Sequence, residues 1–381
     1  MSVAQYAYLN TRVSLYAGQL LGMDRLDALI DRAYDEVRPD AAQPTGSIQY
    51  AGDLDQSNVT LLLKELAVLI RPLSGAPREL LGYWAHRFEL GNLKTIIRGK
   101  MAGQPQAAIE EQLQDMGAFT SLPIAGLLQS DTPAELLRRL EQTPYAEIAR
   151  QARHLLEQGE ALFALDAALD RRYFAGLARR GAAIEGSAGQ LLRTIVGSIV
   201  DRVNLVWLLR YRYAYNLPPA QAYYLLIPAS HRLLPQQLQQ LAQCANFEEA
   251  IASLPPPFDR ILADARNTTE VTLKLERETW RYANHALRHS SFNAARAFAC
   301  MVLRERDLRR LRAIVRGRNM HMEPAMIRTA LGLVNGHGKC AAPDDETCHA
   351  RSPHLNPLPQ AGEEANESLR EFHVKNGPEA H

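Results

Sequence analysis

Cysteine is scarce in this sequence, and long hydrophobic runs are missing. The 381 residues hold four cysteines, at positions 244, 300, 340 and 348. Thiols so few and so scattered do not form the disulfide framework of a small secreted protein, so a reducing compartment is expected. The longest stretch without charge, residues 213–230, contains three prolines and is not expected to span a membrane.

Other absences narrow the function further. The first 23 residues lack a basic segment followed by an apolar one, so no signal peptide is predicted and a cytoplasmic protein is expected. The net charge is +1, from 43 basic and 42 acidic residues. A chain so balanced has no overall field that would gather DNA, RNA or anionic lipid. No glycine-rich loop ends in Lys-Ser or Lys-Thr, and no cofactor is predicted.

Metal sites are not predicted either. His285 and His289 are spaced i, i+4, which puts two imidazoles on one helix face, but Ala286 stands where a zinc protease carries glutamate. Surface or interface histidines are the simpler interpretation. Cysteine and histidine also recur near the C-terminus, without a recognised ligand spacing. These residues are His337, Cys340, Cys348, His349 and His354.

What the sequence does contain is helical periodicity. Apolar residues recur three and four positions apart in stretches rich in Ala, Leu, Glu, Gln and Arg, and alternating strands are nearly absent. The segment "SDTPAELL" predicts a helix start with Asp131 or Thr132 as N-cap and Pro133 in the first turn. Residues 184–189 are predicted to be a loop between helices. The fold class is predicted to be all-α.

One segment occurs three times. Residues 92–100, 204–212 and 310–318 read "NLKTIIRGK", "NLVWLLRYR" and "RLRAIVRGR", at spacings of 112 and 106 residues. An acid precedes each copy by three residues, and a proline that opens a further helix follows each. We predict helical units at 1–120, 121–230 and 231–333, in which the N-terminal helices pack with the third, and a disordered tail at 334–381.

The helical wheel separates two sets of residues in this repeat. The acid lies beside the apolar stripe and needs a partner from another element, whereas the arginine nine residues later lies on the opposite side. The predicted structural positions are Glu89, Asn92, Asp201, Asn204 and Asp307. The candidate interface residues are Lys94, Arg98, Arg210, Arg212, Arg312 and Arg316. An equal alternative is that these cations tie helices together within each unit.

The triplicated helix, with "YAYLNTRVSLYAGQLL", "LDRRYF" and "LRERDLRRLRAIVRGR", resembles the C subunit of V-type and A-type rotary ATPases, whose eukaryotic counterpart is the d subunit. The resemblance covers residues 6–333. It implies three helical domains in a funnel, set between the membrane proteolipid ring and the central stalk on the cytoplasmic face. Such a protein is non-catalytic and transmits torque in ATP-coupled proton or other ion transport. Arg310 departs from the repeat, since the other copies have asparagine there.

Two other classes of function stay open at this point. A helical RNA-binding or scaffold protein unrelated to rotary ATPases is suggested by basic runs with aromatics, such as "RRYFAGLARR". A small-molecule enzyme would show a pocket with convergent titratable groups. A rotor adaptor would instead show broad charged and apolar surfaces and no deep polar pocket.

Overall fold

The computed structural model describes residues 3–35, 47–130, 132–143, 145–147, 149–150, 153, 162–290, 293–335 and 339–340. The predicted all-α class is confirmed. Within these ranges the regular structure is helical, apart from one antiparallel pair of two-residue strands, β1 (Val334–Asn335) and β2 (Lys339–Cys340). The predicted disordered tail and its candidate metal ligands lie outside the described residues, except for the backbone of this pair.

Sixteen α-helices lie within the described ranges. The first seven are α1 (Val3–Ala17), α2 (Met23–Asp35), α3 (Ser47–Ile70), α4 (Gly75–Met101), α5 (Gln106–Glu110), α6 (Ile124–Leu128) and α7 (Pro133–Leu140), with a 3₁₀ turn at Gly117–Phe119. The next five are α8 (Leu162–Ala182), α9 (Gly186–Leu209), α10 (Pro219–Tyr224), α11 (Pro235–Gln243) and α12 (Phe247–Ala252). The last four are α13 (Phe258–Ile261), α14 (Thr268–His289), α15 (Ala294–Asn319) and α16 (Pro324–Ala330).

Side-chain caps begin several of these helices. Thr132 is the N-cap of α7 and accepts a hydrogen bond from the Glu135 amide, while Pro133 occupies the first turn. Asparagine does the same for α12, α14 and α15. One local prediction is wrong: the helix α9 already begins at Gly186, inside the stretch predicted to be a loop, because Gly186 takes a positive φ of 71° that turns the chain into the helix.

The three copies of the repeat lie on α4, α9 and α15, here called the first, second and third repeat helices. Each ends in a left-handed residue that closes a Schellman-type turn, at Gly103, Asn216 and His321. The amide of the residue after it donates to a carbonyl in the last turn of the helix, at 2.8, 2.8 and 2.9 Å. A π-helical turn at Arg210–Ala214 adds one residue to the second copy. The gapless alignment therefore loses register after that point.

The core is divided among several clusters. The largest joins α3, α4, α8 and the first half of α15, with Trp84 and Phe298 edge to face at 6.5 Å. A second cluster lies around the end of α9 and the short helices α10–α13. A third packs α2 against the ends of α15 and α16, through residues that include Leu26, Ile314 and Ile327. The start of the chain thus packs against the last repeat helix.

Candidate functional site: the repeated helix and its partners

The acid of the first repeat helix is buried and held by amides. Glu89 is 0% exposed and accepts hydrogen bonds from the Ser121 amide at 2.5 Å and the Leu122 amide at 2.8 Å. The Ser121 and Tyr145 hydroxyls donate to its second oxygen at 2.6 and 2.7 Å. Although burial acts to raise it, hydrogen bonds from His86, Ser121 and Tyr145 lower the pKa of Glu89 to about 2. The ionised carboxylate therefore fastens the segment before α6 to the first repeat helix.

The acid of the second repeat helix makes the same kind of contact. Asp201 is 2% exposed and accepts from the amides of His231, Arg232 and Leu233 at 3.1, 2.9 and 3.4 Å. Unlike that of Glu89, the pKa of Asp201 is raised, because burial raises it more than the three amides lower it. The segment held in this way comes directly before α11.

The third acid is completed from the other end of the chain. Asp307 is fully buried and accepts from the amide of Leu21 at 2.8 Å, with Arg306 on its other oxygen at 2.8 Å. In all three copies an acid contacts the amide of a leucine that lies two residues before a helix start. These leucines are Leu122, Leu233 and Leu21, before α6, α11 and α2. The three contacts are equivalent in chemistry and in position.

Asparagine at the next repeat position holds a second loop. Asn92 exchanges two hydrogen bonds with the backbone of Gln114, at 2.7 and 2.8 Å. Asn204 likewise accepts from the Ile227 amide at 2.8 Å and donates to the Ala229 carbonyl at 3.1 Å. Arg310 occupies this position in the third copy and makes no such pair with the described residues. Its guanidinium lies instead over the ring of Trp280.

These contacts run across the predicted unit boundaries. The boundary after residue 120 separates Glu89 from its amide donors, and the boundary after residue 230 does the same for Asp201. A helical unit defined by hydrogen bonding would thus extend further along the chain, and the third would include the segment around Leu21. The division into three domains stays a prediction.

Two of the candidate interface cations, Lys94 and Arg98, lie beside acids of α8. The Lys94 ammonium lies 2.5 Å from Asp170, and the Arg98 guanidinium pairs with Asp166. Burial raises the pKa of Asp166, although Lys94 and Arg98 both act to lower it. The two acids were missed in the sequence. Their signal is complementary spacing, since acids at i, i+4 on α8 meet cations at i, i+4 on α4.

The remaining candidates differ in their surroundings. Arg212 donates to the backbone carbonyls of Ala242, Leu217 and Cys244 at 2.6, 2.8 and 3.3 Å, so it holds the loops of the second cluster together. Arg210, directly after α9, and Arg312 and Arg316, in the second half of α15, are half-buried. Whether any of these cations contacts a partner protein stays a prediction.

A charge network joins all three repeat helices and was not predicted. Arg87 of the first helix lies 2.6 Å from Glu305 of the third, whose other oxygen accepts from Arg309 at 2.9 Å. Arg309 and Arg202 of the second helix both reach Glu276 of α14, at 2.6 and 3.3 Å. Although burial acts to raise it, Arg309 and Arg87 hold the pKa of Glu305 below its usual value. The network fixes the three helices against one another.

Two cavities in the described part of the chain differ in size and in lining. One of about 370 Å³ is lined by Gln19, Leu21, Arg25, Leu29, Arg304 and Leu311, which include no acid, thiol or hydroxyl. Another, beside Asp201 and His231, has about 20 Å³, enough for one water. No group of three His, Cys, Asp or Glu side chains among the described residues is arranged to hold a metal. None of the described helices is both long enough and apolar enough to cross a membrane.

Comparison with known proteins identifies the family. The C subunit of the A-type ATP synthase of Methanocaldococcus jannaschii is 23% identical over 349 residues, which cover 87% of each chain. The C subunit of the Methanosarcina mazei enzyme is 23% identical over 352 residues, covering 87% of this chain and 94% of its own. That of Methanothermobacter thermautotrophicus is 25% identical over 268 residues, 68% of each. An unrelated RNA-binding scaffold is not favoured by these matches.

The family assignment rests on nearly the whole body of the chain. The model of the ATP synthase (C/AC39) subunit family matches residues 9–330, which contain all three repeat helices. The predicted resemblance is confirmed, and with it the association with V/A-type rotary ATPases and ion transport. The chain belongs to the ATP synthase (C/AC39) subunit family.

Proposed function

We propose that this protein is a non-catalytic coupling subunit of a V/A-type rotary ATPase. It links the central rotor stalk to the membrane proteolipid ring, on the cytoplasmic face, and transmits torque between them. The observation that carries the proposal is the threefold contact of a buried acid on a long helix with the amides of a distant segment, at Glu89, Asp201 and Asp307. An adaptor built from similar units presents surfaces and needs no reaction centre.

Stiffness is what such a role requires, and the contacts favour it. The first repeat helix has 27 residues and is therefore about 40 Å long at 1.5 Å per residue. Lys94 and Arg98 pair this helix with α8, and Arg87 pairs it with Glu305 of α15. These contacts fix its rotation about its own axis and its axial position relative to both neighbours. Buried ion pairs of this kind define register more than they add stability. Force applied at one end of the helix would then be shared with the other two repeat helices.

The partners would be the stalk subunits and the ring, with no nucleic acid and no small-molecule substrate. Arg210 and Arg316 are the better candidates for contact with them, because Lys94, Arg98 and Arg212 have partners within the chain. Charge-assisted contacts with acidic groups of a ring loop or stalk helix would set the orientation of docking.

The test is reconstitution of the ATPase in vesicles with and without this protein. When it is present, ATP hydrolysis should drive ion uptake, and when it is absent the head should hydrolyse ATP while uptake is lost. Ion uptake at an unchanged rate in its absence would refute the coupling role. For the interface, Arg210→Glu with Arg316→Glu should weaken assembly, and Arg288→Glu, at an exposed position of α14, is the matched control. Full assembly of the double variant would exclude those two residues only.

A further inference from the structure

The third repeat differs from the other two in a way that leaves a cationic cluster. The guanidinium of Arg310 lies 5.3 Å from the Trp280 ring centre, and that of Arg306 lies 6.0 Å from it. Arg277 is exposed on the same helix as Trp280. Burial, with the nearby charge of Arg306, lowers the pKa of Arg310 to about 10. Two arginines over one tryptophan, with a third three residues before it on the same helix, form a site for an anionic group.

The acids near this cluster already have partners within the described residues. Asp307 accepts from Arg306 and from the Leu21 amide, and Glu276 is shared by the arginines of the interhelical network. Within the described residues the buried Nε of Arg310 has no hydrogen-bond partner, and Arg277 forms no ion pair there. A buried guanidinium nitrogen without an acceptor is costly, so an outside acceptor would stabilise the cluster.

The other two copies indicate where that acceptor comes from. Asn92 and Asn204 both bind the loop that follows the short helix after their repeat helix, namely the loops after α5 and α10. The corresponding loop in the third copy follows α16. Its Gly332 lies beside the cluster, since a methyl group placed on it would be 3.5 Å from Arg277 Nη2. Arginine reaches further than asparagine and takes carboxylates rather than amides.

The strand pair then brings the chain back to the same place. Val334, two residues after Gly332, is paired with Cys340, so the chain at Cys340 again lies beside the loop that contains Gly332. Asp344, Asp345 and Glu346 follow it. Four residues of extended chain span about 14 Å, which is long enough for the first of these acids to contact the cluster.

Charge favours the same occupant. Residues 341–381 carry eight acidic and three basic side chains, and residues 1–340 carry 34 and 40. We propose that the acidic segment Asp344–Glu346 binds the cluster of Arg277, Arg306 and Arg310, replacing with ion pairs the loop contact that asparagine makes in the first two copies. This binding site goes beyond the coupling function and does not depend on it.

The experiment is a distance measurement in the full chain. One spin label is attached to Cys348 and the other to a cysteine introduced by Arg281→Cys. The substitution Cys340→Ser removes a third reactive thiol. Cys244 and Cys300 can stay, because both are buried and will not react with the label. Arg281 is one turn from Arg277, about 6 Å away, and Cys348 is two residues from Glu346, at most about 7 Å. Pulsed electron spin resonance at low salt should therefore show a population of short label distances.

Variants on both sides of the contact decide the result. Asp344→Asn/Asp345→Asn/Glu346→Gln should reduce the short-distance population at least about twofold, and so should 1 M NaCl, where the screening length is about 3 Å. Arg277→Gln with Arg310→Asn, which restores the repeat's asparagine, should do the same. The controls are Glu363→Gln/Glu364→Gln in the tail and Arg288→Gln on α14, which should change nothing.

Three outcomes would overturn the inference. The first is that the labelled chain without further substitutions shows no short label distances. The second is that the short distances persist in both sets of variants. The third is that the control variants lose them to the same extent. If Arg310→Asn alone disturbs the fold, seen by circular dichroism, the exposed Arg277→Gln carries the test by itself.

Discussion

Replacement of Glu89 by glutamine should destabilise the protein far more than the loss of one negative charge at an exposed position would. The carboxylate is fully buried and accepts from two backbone amides, two hydroxyls and His86. Glutamine keeps one accepting oxygen for the amides of Ser121 and Leu122. Its NH₂ group, however, faces the hydroxyls and the imidazole that donated to the second oxygen.

The size of the effect follows from the pKa. The ordinary glutamate pKa of 4.5 falls to about 2 in the folded chain. That difference corresponds to roughly 3 kcal/mol of folding stability at neutral pH. Because the folded-state pKa is the lower one, this stabilisation is complete above the unfolded pKa. It is lost as the pH falls from about 5 toward 2.

Urea unfolding followed by circular dichroism is the assay. At pH 7 the free energy of unfolding should be roughly 3 kcal/mol lower for Glu89→Gln, and the difference should shrink by roughly 1 kcal/mol at about pH 3.5. Glu79→Gln, at an exposed position of the same helix, should change stability by less than about 0.5 kcal/mol at either pH. Equal effects of the two substitutions, or a Glu89→Gln deficit independent of pH, would refute the reasoning.

Three further outcomes test other contacts. Asp201→Asn should cost less than Glu89→Gln in the same urea assay, since burial raises the pKa of Asp201 and its ionised form is less stabilised; a larger cost would contradict this. Gly99→Ala puts a methyl 2.5 Å from Ile109 and should cost about 1 to 3 kcal/mol. Combined with Ile109→Ala, it should cost less than the sum in thermal unfolding, and additivity would exclude the clash. Arg212→Gln should lower stability by about 2 kcal/mol through its carbonyl contacts, whereas Arg316→Gln should stay within about 0.5 kcal/mol, and similar values would contradict the different surroundings of the two arginines.

Much of the fold was accessible from the sequence because helices are local. Periodicity identified the long helices, and the wheel placed Glu89 on the buried side of α4, where it is found. The partner of a buried acid is a different matter. The amides of Ser121 and His231 belong to loops some 30 residues away, and no local pattern marks a backbone amide as a donor.

The candidate site shows the same division. A wheel indicates that Arg98 lies opposite Glu89, but it cannot say whether water, a partner protein or α8 lies there. The structure puts Asp166 there. The π-helical turn after Leu209 was also invisible, because one extra residue in an apolar helix leaves the pattern of residue types almost unchanged. Long-range charge contacts such as Arg87 with Glu305 depend on topology, which residue spacing does not supply.

The hydrogen bond from Leu21 to Asp307 joins positions 286 residues apart, and this distance has a consequence for biosynthesis. A ribosome completes the segment around α2 long before it makes α15, so that segment must wait, with its apolar face of Leu26 and Ile30 uncovered, for most of translation. Residues made early are therefore among the last to reach their final contacts. An interaction with a chaperone would be expected there while the chain is still growing.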